Sequence, residues 1–186
     1  RRSLDQPSQY AFHRIQEQFF SGSYAHAILG NEKTIKHFTS DQLNKFRHDF
    51  YNLSNALLIV AGEFETEKLI PLIERYQLPH GPKSKFPGFL LQNHTTIELH
   101  QKEVRMSQLT LCLAAPEYTS AITPDEDLFI NCLGHGDSSR LYRALVQESS
   151  LGNKASASSM YLQGGGVHLL RVVFPPENLR KILNSL

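Results

Sequence analysis

Nine histidines, at positions 13, 26, 37, 48, 80, 94, 100, 135 and 168, set the first limit on what this chain can do chemically. A catalytic zinc needs two imidazoles one helical turn apart, an acidic third ligand and an open position for water. No two of these histidines lie three or four residues apart. His13 with Glu17, or His48 with Asp49, supplies two ligands at most, so they read as ordinary polar side chains. No metal site and no cofactor is therefore expected within the chain itself.

Other chemistry-bearing residues gather after position 133. Gly134-His135-Gly136-Asp137-Ser138-Ser139 has the composition of an anion cradle at a helix start. It lacks the lysine of a phosphate loop and reads first as a helix-capping turn, with Asp137 or Ser138 as the cap. Ser138 and Ser139 have no placed base and no strand-to-helix elbow, which argues against a nucleophile. Arg140 and Arg143 follow on a helix surface, suited to salt bridges or to a peptide C-terminus. Gly164-Gly165-Gly166 precedes a strand pattern and reads as a hairpin tip. Cys112 and Cys132 lie in apolar segments without Cys-x-x-Cys spacing, as two small buried hydrophobes would.

The elements that must hold these residues follow from periodicity and punctuation. Residues 8–20 carry a helical apolar stripe, Asn31 opens a short helix, and Ser40 caps a longer one whose buried face is Leu43, Phe46 and Phe50. Asn55–Ala61 is a continuous apolar run of strand length, consistent with cover on both faces. A helix over residues 65–76 contains Pro71, tolerable in a first turn and a kink elsewhere. Residues 79–94, rich in Pro, Gly and Lys, read as a linker. Beyond it come strands at 95–101 and 106–115, and a helix from Thr123 to Leu133 with Pro124 at its start. A second helix to about Glu148, a hairpin over 155–174 and a last helix complete the order. Helices and hairpins segregate, so the fold class is α+β with a mainly antiparallel sheet and helices packed on one face. The first part has a single clear strand, too few for a sheet of its own.

Composition narrows the partners. With 186 residues, 40% hydrophobic, the chain can bury one good core or two modest ones. Its net charge is +1, with acids and bases interleaved, so nothing favours nucleic acid or an anionic membrane. The longest apolar run, Ala56–Ala61, is far too short for a membrane segment, and composition leaves the compartment open.

In order and spacing, three features resemble the insulinase/pitrilysin family of zinc metallopeptidases. These are the helix and strand over Asp41–Gly62 ending Ala61-Gly62, the pattern Ala27–Gly30 with Thr34-Ile35, and Ser139-Arg140-Leu141 after a glycine-containing loop. The resemblance implies an insulinase-like sandwich: residues 1–78 as the C-terminal part of a truncated first domain, 79–94 as the linker, and 95–186 as a second, non-metal domain. It implies zinc and His-x-x-Glu-His in the full-length protein, in sequence this chain does not include. By position, Leu128, Asn131 and Cys132 fall where His, Glu and His would be; Leu128 and Cys132 read as core residues at i and i+4. Family members also use an Arg and a Tyr seven residues apart to hold substrate, and those positions fall here on Val146 and Asn153.

The expectation is thus a peptidase fragment, itself inactive, that walls a peptide-substrate chamber, with Ser138, Ser139, Arg140 and Asn153 as its substrate-facing residues. The alternative is a non-catalytic structural or partner subunit of a two-subunit complex. A truncated first domain also implies exposed apolar surface, hence a partner subunit or self-association.

Overall fold

The computed structural model describes residues 7–76, 79–85 and 105–185. They fall into two compact units, one drawn from Arg1–Ala27 with Gly88–Leu186, the other Ile28–Pro87. The expected strand at 95–101 lies outside the described residues.

In the first unit three strands pair antiparallel in the order β1-β3-β2: β1 is Ser107–Ala115, β2 Lys154–Leu162 and β3 Gly165–Phe174. The hairpin β2–β3 turns at Gln163-Gly164, where Gly164 has φ 90° and Gly165 φ 148°. A side chain would strain both conformations, which is why glycine clusters there. The register sets Ala157 opposite Leu170 and Ser159 opposite His168. Even-numbered residues of β3 therefore face one side and odd-numbered ones the other.

Three helices cover the even face. Helix α5, Thr123–Gly134, leads to α6, Arg140–Tyr142, which continues as a π-turn over Arg143–Glu148; α7 is Leu179–Leu183. Ile130, Leu141, Leu145 and Ile182 from this layer bury against Ala155, Ala157, Val172 and Phe174 of the sheet. On the odd face, α1, Pro7–Phe19, and the following Phe20 bring Phe12, Ile15 and Phe19 onto Val167 and Leu169. The α+β class with an antiparallel sheet agrees with the sequence reading; the cover contributed by α1 was not legible there.

Small residues let α5 sit down on the sheet. A Cβ at Gly134 would lie 2.6 Å from the Cα of Ala157, so helix and strand backbones touch. Caps differ from expectation by a residue. Thr123 is the first helical residue and its hydroxyl donates to the Glu117 carbonyl at 2.7 Å, while Ser139, not Asp137 or Ser138, holds the cap position of α6.

The second unit contains α2, Glu32–His37, α3, Ser40–Phe50, and α4, Thr66–Glu74. Asn31 and Thr34 exchange capping bonds at 2.9 and 3.0 Å, and Thr39 does the same with Gln42 at 3.2 and 3.0 Å. The cap of α3 is therefore Thr39, one residue before the serine expected. Pro71 lies in the interior of α4, where it forgoes one helical bond.

The expected buried strand at Asn55–Ala61 does not form. A 3-10 turn occupies Leu53–Asn55, and residues 56–61 take no regular secondary structure. Leu57, Leu58 and Ile59 are 84%, 65% and 77% exposed. The reason is pairing: among the described residues this unit has no other strand, and a lone strand cannot satisfy its backbone groups. The stripe Leu43, Phe46 and Phe50 on α3 is about half exposed as well, so the predicted face exists but the described residues of the unit do not bury it. Among the described residues no helix is long and apolar enough to cross a membrane.

The contact at Gly134 gives a direct test. Gly134→Ala should lower the stability of the first unit by about 3 kcal/mol, the upper range for overpacking against rigid backbone, in chemical denaturation. Gly136→Ala, in open space but at positive φ, should cost only about 1 kcal/mol.

Candidate functional site

The loop between α5 and α6 is ordered by backbone contacts. The His135 amide donates to the Asn131 carbonyl at 2.9 Å, and the Ser139 amide to the Gly136 carbonyl at 3.2 Å. Gly136, at φ 78°, makes the reversal. Ser138 faces solvent, whereas Ser139 is buried and its hydroxyl has no partner within the structure. Arg140 is exposed and borders a shallow hollow of about 370 Å³ with Leu133, Ala144 and Ser149. Asn153 is exposed too, its amide donating to the Val173 carbonyl at 2.8 Å. No hydrogen bond or ion pair among the described residues joins Asn153 to Ser138, Ser139 or Arg140. Arg143 sits 3.5 Å from Glu148 in an exposed pair, and Val146 packs against the helix-layer core.

Helix α5 corrects one reading. Leu128 is 67% exposed and Cys132 is exposed; neither belongs to the core. Ile130 and Gly134 occupy the buried side instead, which turns positions 128, 131 and 132 outward together. Asn131 is tied back to its own helix, donating to the Asp127 carbonyl at 2.8 Å and its carboxylate at 3.2 Å. Among the described residues no three His, Cys, Asp or Glu side chains converge as a metal would require.

Sequence patterns missed a buried polar relay. The hairpin register puts Ser159 and His168 on one face, and the first turn of α5 sets Glu126 above them. His168 Nδ1 lies 2.9 Å from Ser159 Oγ, and its Nε2 lies 2.8 Å from Glu126 Oε2. With the proton on Nε2, the imidazole donates to the carboxylate and accepts from the serine hydroxyl. Only 6% of His168 is exposed. The Tyr161 and His168 ring centroids lie 6.0 Å apart with the rings nearly perpendicular, and the buried Tyr161 hydroxyl has no partner among the described residues.

Serine, imidazole and carboxylate in a row have the connectivity of a nucleophile and its base. Here, however, Ser159 sits in the middle of β2, with no strand-to-helix turn to present its hydroxyl to a substrate. The relay instead fastens the start of α5 to the sheet. The three residues are 33 and 9 positions apart, so no local motif shows them. Only the register implied by a tip at Gln163-Gly164 pairs Ser159 with His168.

Comparison with known proteins places this geometry. A family model described as the peptidase M16 inactive domain matches residues 37–186. An uncharacterized zinc protease of Rickettsia bellii (strain RML369-C) is 28% identical over 167 residues, 87% of this chain and 40% of that protein. The crystal structure of a protease from Helicobacter pylori superposes with a TM-score of 0.80 at 22% identity, over 99% of this chain and 47% of the other. A chain of complex III from Candida albicans gives 0.81 at 14% identity, over 95% and 44%. At such identities the two structures speak for the fold alone. The chain spans less than half the length of these relatives.

Two measurements follow from the site. Burial pushes the Cys112 thiol up to about 11, against a smaller opposing pull from Arg171. At pH 8 its thiolate is then about a thousandfold scarce, so a disulfide reagent should modify exposed Cys132 and leave Cys112. Modification of Cys112 should rise about tenfold per pH unit up to about pH 11. Glu126→Ala, which removes a charge-assisted partner from buried His168, should cost about 2 kcal/mol in urea unfolding.

Proposed function

The chain belongs to the peptidase M16 inactive-domain family, and we propose that it forms the non-catalytic, peptide-confining part of a zinc peptidase. In this reading residues 1–78 close a first domain, 79–94 link, and 95–186 form the second domain. Zinc and its ligands reside in polypeptide other than this chain. A peptide meets the exposed side chains of Ser138, Arg140 and Asn153, with buried Ser139 behind them. Arg140, exposed at a hollow, suits a peptide carboxylate.

The observation that carries the proposal is the outward face of α5. The positions that the resemblance assigns to His, Glu and His hold Leu128, Asn131 and Cys132. Asn131 spends its amide on its own helix, and Leu128 offers no donor pair to a metal. Such a helix lends shape and surface, while a metal-activated water must come from elsewhere.

The exposed apolar surface of the second unit favours a second reading, a structural subunit that works by assembly. Leu57 to Ile59 and the α3 stripe are faces that a partner would bury.

The test uses the purified chain, equimolar zinc and a quenched peptide library. The expected result is zinc well below one per chain after dialysis, no cleavage, and peptide binding weakened about threefold to tenfold by Arg140→Ala. Stoichiometric zinc together with turnover overturns the proposal. Strong concentration-dependent association with no peptide binding favours the structural subunit.

A further inference from the structure

Two asparagines at the end of α3 bind a segment almost thirty residues downstream. Asn55 accepts from the Ser84 amide at 2.7 Å and the Ser84 hydroxyl at 3.0 Å, and its own amide donates to the Pro82 carbonyl at 3.2 Å. Asn52, 5% exposed, reaches the same carbonyl at 3.4 Å while donating to the carbonyls of His48 and Asp49 at 3.2 and 3.1 Å. The Ser54 hydroxyl donates to the Gly81 carbonyl at 2.7 Å, and the Leu53 amide to the Pro79 carbonyl at 3.0 Å. Residues 52–55 thus present mostly donors, and residues 79–82 present carbonyls. Pro79 and Pro82 have no amide hydrogen to leave unsatisfied there. Gly81 passes directly over Asn52: a Cβ on it would lie 2.7 Å from the Asn52 Cγ.

We propose that Asn52 and Asn55 lock residues 79–84 onto the end of α3, making the first half of the linker a fixed strap of the second unit. The second unit is then built as far as Ser84 at its C-terminal side. The composition of this stretch, proline with glycine and lysine, suggests a tether; the hydrogen bonds make it a built part of the structure. Asn55 and Asn52 are positioning residues, setting the point from which the chain departs.

The test reads exchange of the Ser84 amide and tryptic cleavage after Lys83 in the whole chain. In the unaltered protein both should be slow. Asn55→Ala should speed both by at least about tenfold, since it removes three bonds to the strap. Circular dichroism and the melting of α3 monitor loss of the unit itself. Should Asn55→Ala unfold it, Gly81→Ala evicts the strap sterically with both asparagines intact, and the same acceleration is expected. An unprotected Ser84 amide in the unaltered protein, or cleavage after Lys83 at the same rate in a folded Asn55→Ala or Gly81→Ala variant, overturns the proposal.

Discussion

Where α5 ends, its backbone lies against that of Ala157, and the helix layer is seated by that approach. Gly134 and the alanines of β2 bring the helix low enough for Ile130 to reach the core shared by Val172 and Phe174. A lower helix also sets its first turn within reach of the sheet, so the half-buried Glu126 meets His168. Packing and polar fastening are therefore two ends of one arrangement: the small residues fix the height, and the relay fixes the tilt. Because a buried imidazole costs free energy unless both nitrogens are satisfied, Ser159 and Glu126 are as much a condition of that tilt as its consequence.

The two units differ in how completely they solve the problem of burial. In the first, both faces of the sheet are covered and the largest buried side chains are Phe20, Phe174 and Ile182. The second has two helices, α2 and α3, closed by capping boxes, whose apolar side chains stay largely exposed among the described residues. Capping boxes at Asn31 and Thr39 satisfy backbone donors locally, which lets short helices persist while their faces stay open. Local structure and tertiary burial are separable here.

That separation explains what could be read from the sequence. Helices α2, α3 and α5, the hairpin and strand β1 were legible because caps, prolines, glycines and alternation are local signals. The strand at Asn55–Ala61 was over-read because an apolar run records a preference for burial, not the presence of neighbours to pair with. Leu128 and Cys132 were placed in the core from i, i+4 spacing, but spacing names a face without saying which way it points. The helix start at Ser139 and Arg140 was legible, to within a residue, from the glycine-containing turn before it. The relay of Glu126, Ser159 and His168 was hidden, since it is assembled by register and by helix height.

The uncovered run Ala56-Leu57-Leu58-Ile59-Val60-Ala61 also has a cellular side. Six uncharged apolar residues without proline, β-branched at Ile59 and Val60, resemble a steric-zipper segment. The flanking Asn55 and Gly62-Glu63 are the kind of residues that act as gatekeepers at such borders. Exposed apolar surface of this kind is prone to aggregate before and after folding. Left uncovered, the stretch offers unpaired backbone to a second copy, and the charge of Glu63 at its border opposes that association.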